Sequence, residues 1–279
     1  MSIQWYPGHM AKATRLIKEE LKKVDVVIVL GDARAVERSI NRDFFEVIKN
    51  KRRILVFNKS DLADESVNQM WKSYFSDEKE TIFFVDCMNK KGIGELVSHI
   101  KNYKQNMRYD RAVHVMIAGI PNVGKSMLIN TLAKRNAAHA SNRPGVTRAN
   151  QWIKVGMDFY LLDTPGVLPP KFETEEDGYV LTAMGSVKDA IVDKEELALF
   201  ILQFMKDRYP LLLQNRYKLS DVDCDKIELM ERIAKSRGFV TKGGLFDYER
   251  TAYTILDEFR NGKIGRISFD QPNELDGTE

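Results

Sequence analysis

Apolar residues recur along this chain in two different rhythms. Near the start, Met10, Ala13, Ile17, Leu21 and Val24 fall at three- and four-residue steps, the spacing of one helix face. Lys12, Arg15, Lys18 and Lys22 fall largely on the other faces. The preceding Trp5-Tyr6-Pro7-Gly8-His9 reads as a turn, because Pro and Gly interrupt regular structure. The rhythm then changes. Residues 24–30 (VDVVIVL) are mostly apolar and rich in Val and Ile, which predicts a strand buried on both faces, as in parallel sheets. Residues 53–57, 81–85 and 113–118 repeat that pattern, and helices are predicted between them at about 41–50, 65–76 and 93–105. Residues 151–155 and 158–162 flank Gly156-Met157 and predict a hairpin. Beyond about residue 175 the strand signals fade, and residues 195–206, 225–236 and 248–260 read as helices.

Strands alternating with helices imply an α/β sheet covered on both sides. Two domains are therefore expected: an α/β domain over 1–174 that includes the N-terminal helix, and an all-helical domain over 175–279. No internal repeat or low-complexity stretch disturbs this division.

Composition narrows the class. Of 279 residues, 43% are hydrophobic and 30% charged, the balance of an ordinary globular protein. No uncharged apolar run approaches the roughly 18 residues of a membrane span. The first residues lack the apolar core of a secretory signal. Cys87 and Cys224, far apart and alone, make neither a disulfide framework nor a metal pattern, so a reducing cytoplasm is expected. The net charge of +3 is unevenly spread: residues 1–174 carry 28 Lys and Arg against 19 Asp and Glu, residues 175–279 carry 15 against 21. The basic first part is compatible with a nucleic-acid partner and equally with a solvated surface. In the acidic second part, Arg232, Lys235, Arg237 and Lys242 form a local basic cluster, read either as a solvated helix face or as an RNA phosphate contact.

The chemistry begins at Gly119-Ile120-Pro121-Asn122-Val123-Gly124-Lys125-Ser126, which fits G-x-x-x-x-G-K-S. It follows the strand 113–118 and opens an apolar helical run, the setting this phosphate loop requires. Glycines let backbone N–H groups wrap phosphates without Cβ clashes, and the helix start adds free donors. Pro121, Asn122, Val123, Gly124, Lys125, Ser126 and the following Met127 are the expected phosphate contacts, with Lys125 bridging the β- and γ-phosphates and Ser126 on Mg²⁺.

The base is named elsewhere. Asn58-Lys59-Ser60-Asp61, directly after the strand 53–57, fits N-K-x-D. The Asp61 carboxylate can accept from guanine N1–H and the 2-amino group together, donors that adenine does not offer there. Asn58 would orient the loop, and the Lys59 stem would cover the ring. Asp86-Cys87-Met88 follows the strand 81–85, where the loop for guanine O6 belongs. Asp163-Thr164-Pro165-Gly166 fits D-x-x-G, with Asp163 on Mg²⁺ through water and the Gly166 N–H on the γ-phosphate. Thr147, in Pro144-Gly145-Val146-Thr147, is the expected switch residue for Mg²⁺ and γ-phosphate. The ligands are thus GTP or GDP with Mg²⁺, and the expected activity is GTP hydrolysis.

In ordinary GTPases the phosphate loop comes first. Here the two base-reading loops precede it, the order a circular permutation gives when old termini are joined through about 106–111 and the chain is cut after D-x-x-G. Residues after about 175 are then tied to the switch that senses γ-phosphate.

The permuted order, together with Trp5-Tyr6-Pro7-Gly8-His9-Met10-Ala11-Lys12-Ala13, closely resembles the ribosome biogenesis GTPase A (YlqF-like) family. Asp32-Ala33-Arg34, Arg143-Pro144-Gly145-Val146-Thr147, Gln151-Trp152, Gly185-Ser186-Val187-Lys188-Asp189 and Gly262-Lys263-Ile264-Gly265-Arg266 extend the resemblance over nearly the whole chain. Pro169, Ser39-Ile40-Asn41-Arg42 and Met127 depart from the family's usual residues. The resemblance implies a P-loop GTPase domain with a circularly permuted, mostly parallel sheet and a C-terminal helical domain that contacts RNA. It implies a switch in assembly of the large (50S) ribosomal subunit, with the pre-50S particle, rRNA and ribosomal proteins as partners. The alternative is a permuted GTPase acting on another RNA or on a protein. Asn122 matches the position where potassium-stimulated GTPases hold K⁺, so the resemblance implies K⁺ dependence.

Val167 stands where many GTPases carry a water-orienting Gln, and it can neither donate nor accept a hydrogen bond. His9, in a Pro-Gly turn before a helix, is the expected replacement, and the family's P-G-H-M motif carries a His proposed for this role. A turn-forming or rRNA-contacting His9 is the competing reading.

Overall fold

The computed structural model describes residues 15, 17–105, 111–135, 152–164, 166, 174–187 and 192–274. Five apolar runs become parallel strands: β1 (Val26–Asp32), β2 (Arg52–Asn58), β3 (Ile82–Phe84), β4 (Val113–Gly119) and β6 (Phe159–Asp163). β5 (Trp152–Val155) pairs antiparallel with β6 and closes the predicted hairpin. The spatial order is β3-β2-β1-β4-β6-β5. All seven residues of β1 are buried, which accounts for its unbroken apolar reading. Four helices accompany the strands: α1 (Asp43–Ile48), α2 (Glu65–Asp77), α3 (Ile93–Gln105) and α4 (Lys125–Arg135).

One core cluster lies where the strands meet the N-terminal helical residues. Ile17, Leu21 and Val24 of the predicted helix face are buried with Val27, Val29, Leu55, Phe57, Trp71 and Phe75. Met10 and Ala13 of the same face lie outside the described residues. Trp71, fully buried, stacks on Phe75 with ring centroids 5.6 Å apart. Burying a side chain of this size stabilises the fold by roughly 1.5–3 kcal/mol.

The chain divides into two compact units, and the division differs from the boundary expected at residue 174. Residues 268–274 do not belong with the helical unit; they pack with the α/β unit instead. Backbone and side-chain bonds fasten them there: Phe269 N donates to Arg34 O at 2.7 Å, and Trp71 Nε1 donates to Asp270 O at 3.3 Å.

The helical unit contains α5 (Glu175–Ala183), α6 (Lys194–Arg208), α7 (Pro210–Tyr217), α8 (Lys226–Arg237) and α9 (Tyr248–Arg260). Each start has a local cause. Thr174 and Asp177 make a reciprocal capping box on α5, while Asp193, Asp225 and Asp247 cap α6, α8 and α9. Pro210 opens α7, where a missing N–H costs nothing. Among its described residues the unit departs from all-helical only at an isolated bridge between Val240 and Phe246.

Glu258 is buried and accepts from both Arg216 and Arg237. Arg237 is therefore an internal tie of this unit. Arg232 pairs with Glu228 and Asp221. The basic cluster thus keeps Lys235 and Lys242 exposed, while its two arginines serve the helices.

Candidate nucleotide site

The site residues sit on loops at the carboxyl ends of β1, β2, β3, β4 and β6, where ligands bind in parallel sheets. β4 leads into the phosphate loop, and α4 begins at Lys125. Two glycines there are dictated by space. A Cβ on Gly119 would lie 2.2 Å from Leu30 O. Gly124 takes φ +100°, and a Cβ there would lie 2.3 Å from Asn58 Nδ2. Asn122 takes φ +60°, a region that Asn tolerates better than most residues.

Lys125 Nζ donates to Gly119 O at 3.1 Å and Ile120 O at 2.8 Å. Burial pulls its ammonium down to about 8, partly opposed by the Asp163 charge. The Asp163 carboxyl is raised by burial against the pull of Lys125 and of a hydrogen bond from Ser126. Lys125, Ser126 and Asp163 thus converge as the phosphate-loop and D-x-x-G motifs require. Thr164 Oγ1 donates to Ile117 O at 2.8 Å and pins the end of β6 to β4. A Cβ on Gly166 would meet Pro121 atoms at 2.9–3.1 Å, so D-x-x-G lies directly against the phosphate loop.

The N-K-x-D loop and the loop at Asp86 and Cys87 meet the phosphate loop through Asn58. Its Nδ2 donates to Val123 O at 2.9 Å, and its Oδ1 accepts from Cys87 N at 3.1 Å. Lys59 takes φ +60° and donates from Nζ to Asn122 O at 3.1 Å. Ser60 N donates to Val85 O at 3.1 Å, and Thr131 Oγ1 of α4 donates to Cys87 O at 3.4 Å. The Cys87 thiol is pushed up to about 12 by burial and by the Asp86 and Asp61 charges, so it stays protonated. Those charges place Asp61 near Cys87. Asp86 is turned inward: its oxygens accept from Asn89 N at 2.9 Å and Asn89 Nδ2 at 2.7 Å. Its side chain thus shapes the loop that was expected to meet the base. Met127 is substantially exposed beside the loop. His9, Thr147 and Val167 lie outside the described residues.

One residue of the site had no role assigned from sequence. Asp32, at the end of β1, is fully buried and accepts from Arg34 Nη2 and Lys59 Nζ, each at 2.8 Å. Burial raises its carboxyl, but the two cations hold it well below the usual carboxylate range. The sequence signal was an acid ending a strand wholly buried beside N-K-x-D.

Comparison with known proteins agrees with this geometry. Residues 114–237 match the family model of the 50S ribosome-binding GTPase, and residues 9–173 match that of the RsgA GTPase. Ribosome biogenesis GTPase A of Priestia megaterium is 44% identical over 99% of both chains. The protein of the same name from Thermotoga maritima is 30% identical over 98% of this chain and 96% of its own. Mitochondrial ribosome-associated GTPase 1 of Mus musculus is 33% identical over 96% and 90%. A GDP-bound YlqF structure superposes with TM-score 0.66 at 26% identity, covering 92% of this chain and 99% of that one. With its P-loop, its two base loops ahead of it and these relatives along its whole length, the chain belongs to the ribosome biogenesis GTPase A family of GTP-hydrolysing enzymes.

Proposed function

We propose that this GTPase is a nucleotide-controlled switch in assembly of the large (50S) ribosomal subunit, working in the cytoplasm on the pre-50S particle. One observation carries the reading beyond the relatives' names: Glu175 opens α5 only twelve positions after Asp163. Only a few residues of sequence therefore separate the motif that would sense γ-phosphate from the helical unit. Making or breaking the bond from Gly166 N–H to γ-phosphate acts on a short tether to that unit, which is how a nucleotide state becomes a mechanical output. The basic composition of residues 1–174 and the exposed Lys235 and Lys242 supply positive charge for rRNA phosphates.

In this reading Lys125 turns from its own loop carbonyls to the β- and γ-phosphates. The N–H groups of the phosphate loop and of Gly166 hold phosphate oxygens, and Asp61 accepts from the guanine edge. The bonded pair of Ser126 and Asp163 is an all-oxygen set, to which Thr147 adds a third oxygen. Such a set suits Mg²⁺, which retains water and takes phosphate oxygens instead of a full protein cage. When bound, Mg²⁺ neutralises charge on the phosphates. Asn122 would help hold K⁺, whose charge would stabilise the transition state, and His9 would position the attacking water.

The test is co-sedimentation with purified large subunits in GDP and in a non-hydrolysable GTP analogue, with single-turnover hydrolysis on the same particles in Na⁺ and K⁺. Nucleotide-dependent binding and faster hydrolysis are expected, faster still in K⁺. His9→Ala should bind normally and turn over at least about tenfold more slowly on the particle. Absence of subunit binding in either state would overturn the assembly reading in favour of another RNA or protein partner.

A further inference from the structure

Residues 268–270 make contacts that neither fold class nor hydrolysis explains. Asp270 is buried, and its carboxylate accepts from three successive backbone N–H groups: Val36 at 2.8 Å, Glu37 at 3.1 Å and Arg38 at 3.2 Å. Phe269 N donates to Arg34 O at 2.7 Å. Ser268 Oγ accepts from Asp64 N at 3.1 Å, on a different loop. Ser268, Phe269 and Asp270 are all at most 4% exposed. Three consecutive residues thus grip two loops: the one after β1 and the one after β2.

The second of these loops carries Asn58, Lys59 and Asp61, and the first is bonded to it. Ala33 N donates to Asn58 O at 2.8 Å. Arg34 grips Asp32 through Nε and Nη2, and Asp32 holds Lys59 Nζ, which also reaches Asn122 O. Ser39 Oγ accepts from Asp32 N at 2.9 Å and ties the far end of the first loop back to the strand. Asp64 lies three residues beyond Asp61, at the point where α2 is capped. A shift of residues 34–38 is therefore passed to Lys59, and a shift of Asp64 to Asp61.

We propose that residues 268–270 are a clasp that positions the base-reading loop, with Asp270 a positioning residue for guanine recognition. The proposal rests on Asp61 and Lys59 reading guanine, as set out above. The clasp makes no contact with nucleotide; it sets the loop that does. The chain leaving the helical unit at Ile267 thus runs directly into residues hydrogen-bonded to these loops.

The experiment measures GDP and IDP affinities of the full chain at pH 7.5. Inosine lacks the 2-amino group, so the ratio of the two dissociation constants reports how well Asp61 is placed. Asp270→Ala should weaken GDP binding by about tenfold and bring the IDP-to-GDP ratio toward one. Asp270→Asn, which keeps an acceptor oxygen, should recover part of both. Should Asp270→Ala not fold, Ser268→Ala decides, because it removes the acceptor for Asp64 N and leaves the Asp270 carboxylate in place. Equal losses for GDP and IDP, or no loss in a folded variant, would overturn the proposal and leave the clasp a stabilising contact only. A wild-type ratio near one would instead overturn the base reading, and the clasp proposal with it.

Discussion

Asn58 Nδ2 donates to the Val123 carbonyl at 2.9 Å while the same side chain accepts from Cys87 N at 3.1 Å. One buried amide therefore joins the first base loop, the phosphate loop and the second base loop. Neither half of the pocket can shift without breaking a bond to it. Asn58→Ala removes both bonds and strands buried partners, at a cost of about 1–3 kcal/mol. GDP and GTP affinities should fall together, by roughly 10–100-fold. Calorimetric titration checks this; loss for only one nucleotide would contradict a role in joining the loops.

Asp61→Asn should exchange the base preferred. A carboxylate there can accept from both guanine donors, whereas an amide presents one donor and one acceptor, which suits xanthine. Competition between GDP and xanthosine diphosphate should favour the latter in the variant. Unchanged GDP affinity without any xanthine preference would remove Asp61 as the base reader.

Lys125 links nucleotide affinity to pH. Its ammonium is drawn down to about 8 by burial, and phosphates beside it favour the charged form. Binding then takes up a proton once the pH exceeds 8. GDP affinity should be flat from pH 6.5 to 7.5 and fall toward tenfold per unit above 8. Lys125→Arg, which stays charged, should lose that slope even though it binds more weakly.

Asp32 and Asp270 should shape acid stability in opposite senses. Asp32 is held low, so its contribution is present above about pH 4 and is lost as the pH falls through its folded value. Asp270 is pushed up by burial to about 6, with its backbone N–H partners opposing. Between about pH 4 and 6 the folded chain holds this proton more tightly than the unfolded chain, so stability falls as pH rises. Thermal melts from pH 4 to 7 should show the wild type losing stability relative to Asp270→Asn over that window. A constant difference would contradict the shift.

Much of this was legible in the order of residues because the apolar runs are long and the motifs follow them. The run at 24–30 was readable since both faces of β1 are buried, and Gly119 through Ser126 declare their shape through glycines that no other residue could replace. α5 was not legible. Gly178 interrupts it, and Gly178, Val180, Leu181, Thr182 and Ala183 are all buried, so no polar face marks the period. α7 is eight residues long and begins at a proline. The inward turn of Asp86 was not legible either, because a carboxylate at the end of a strand gives no hint that Asn89 will bond both its oxygens. The attachment of Asp270 to Val36 spans 234 positions, a pairing that local pattern cannot encode.

The position of β1 in the sheet bears on how the pocket is made. β1 pairs with β2 through seven residues and with β4 through five. The first three strands, β1 to β3, can pair in order as soon as they exist, and they carry the base loops. The phosphate loop arrives only after β4 has added to the free edge of β1. A nascent chain thus pairs the strands that carry its base loops before it owns any phosphate cradle, and residues 268–270 reach those loops last of all. Nucleotide, gripped by both, favours the later docking over the earlier one by RT ln(1 + [L]/Kd). In the cell, guanine nucleotide would then act as a folding ligand for the docking of the second half of the domain onto the first.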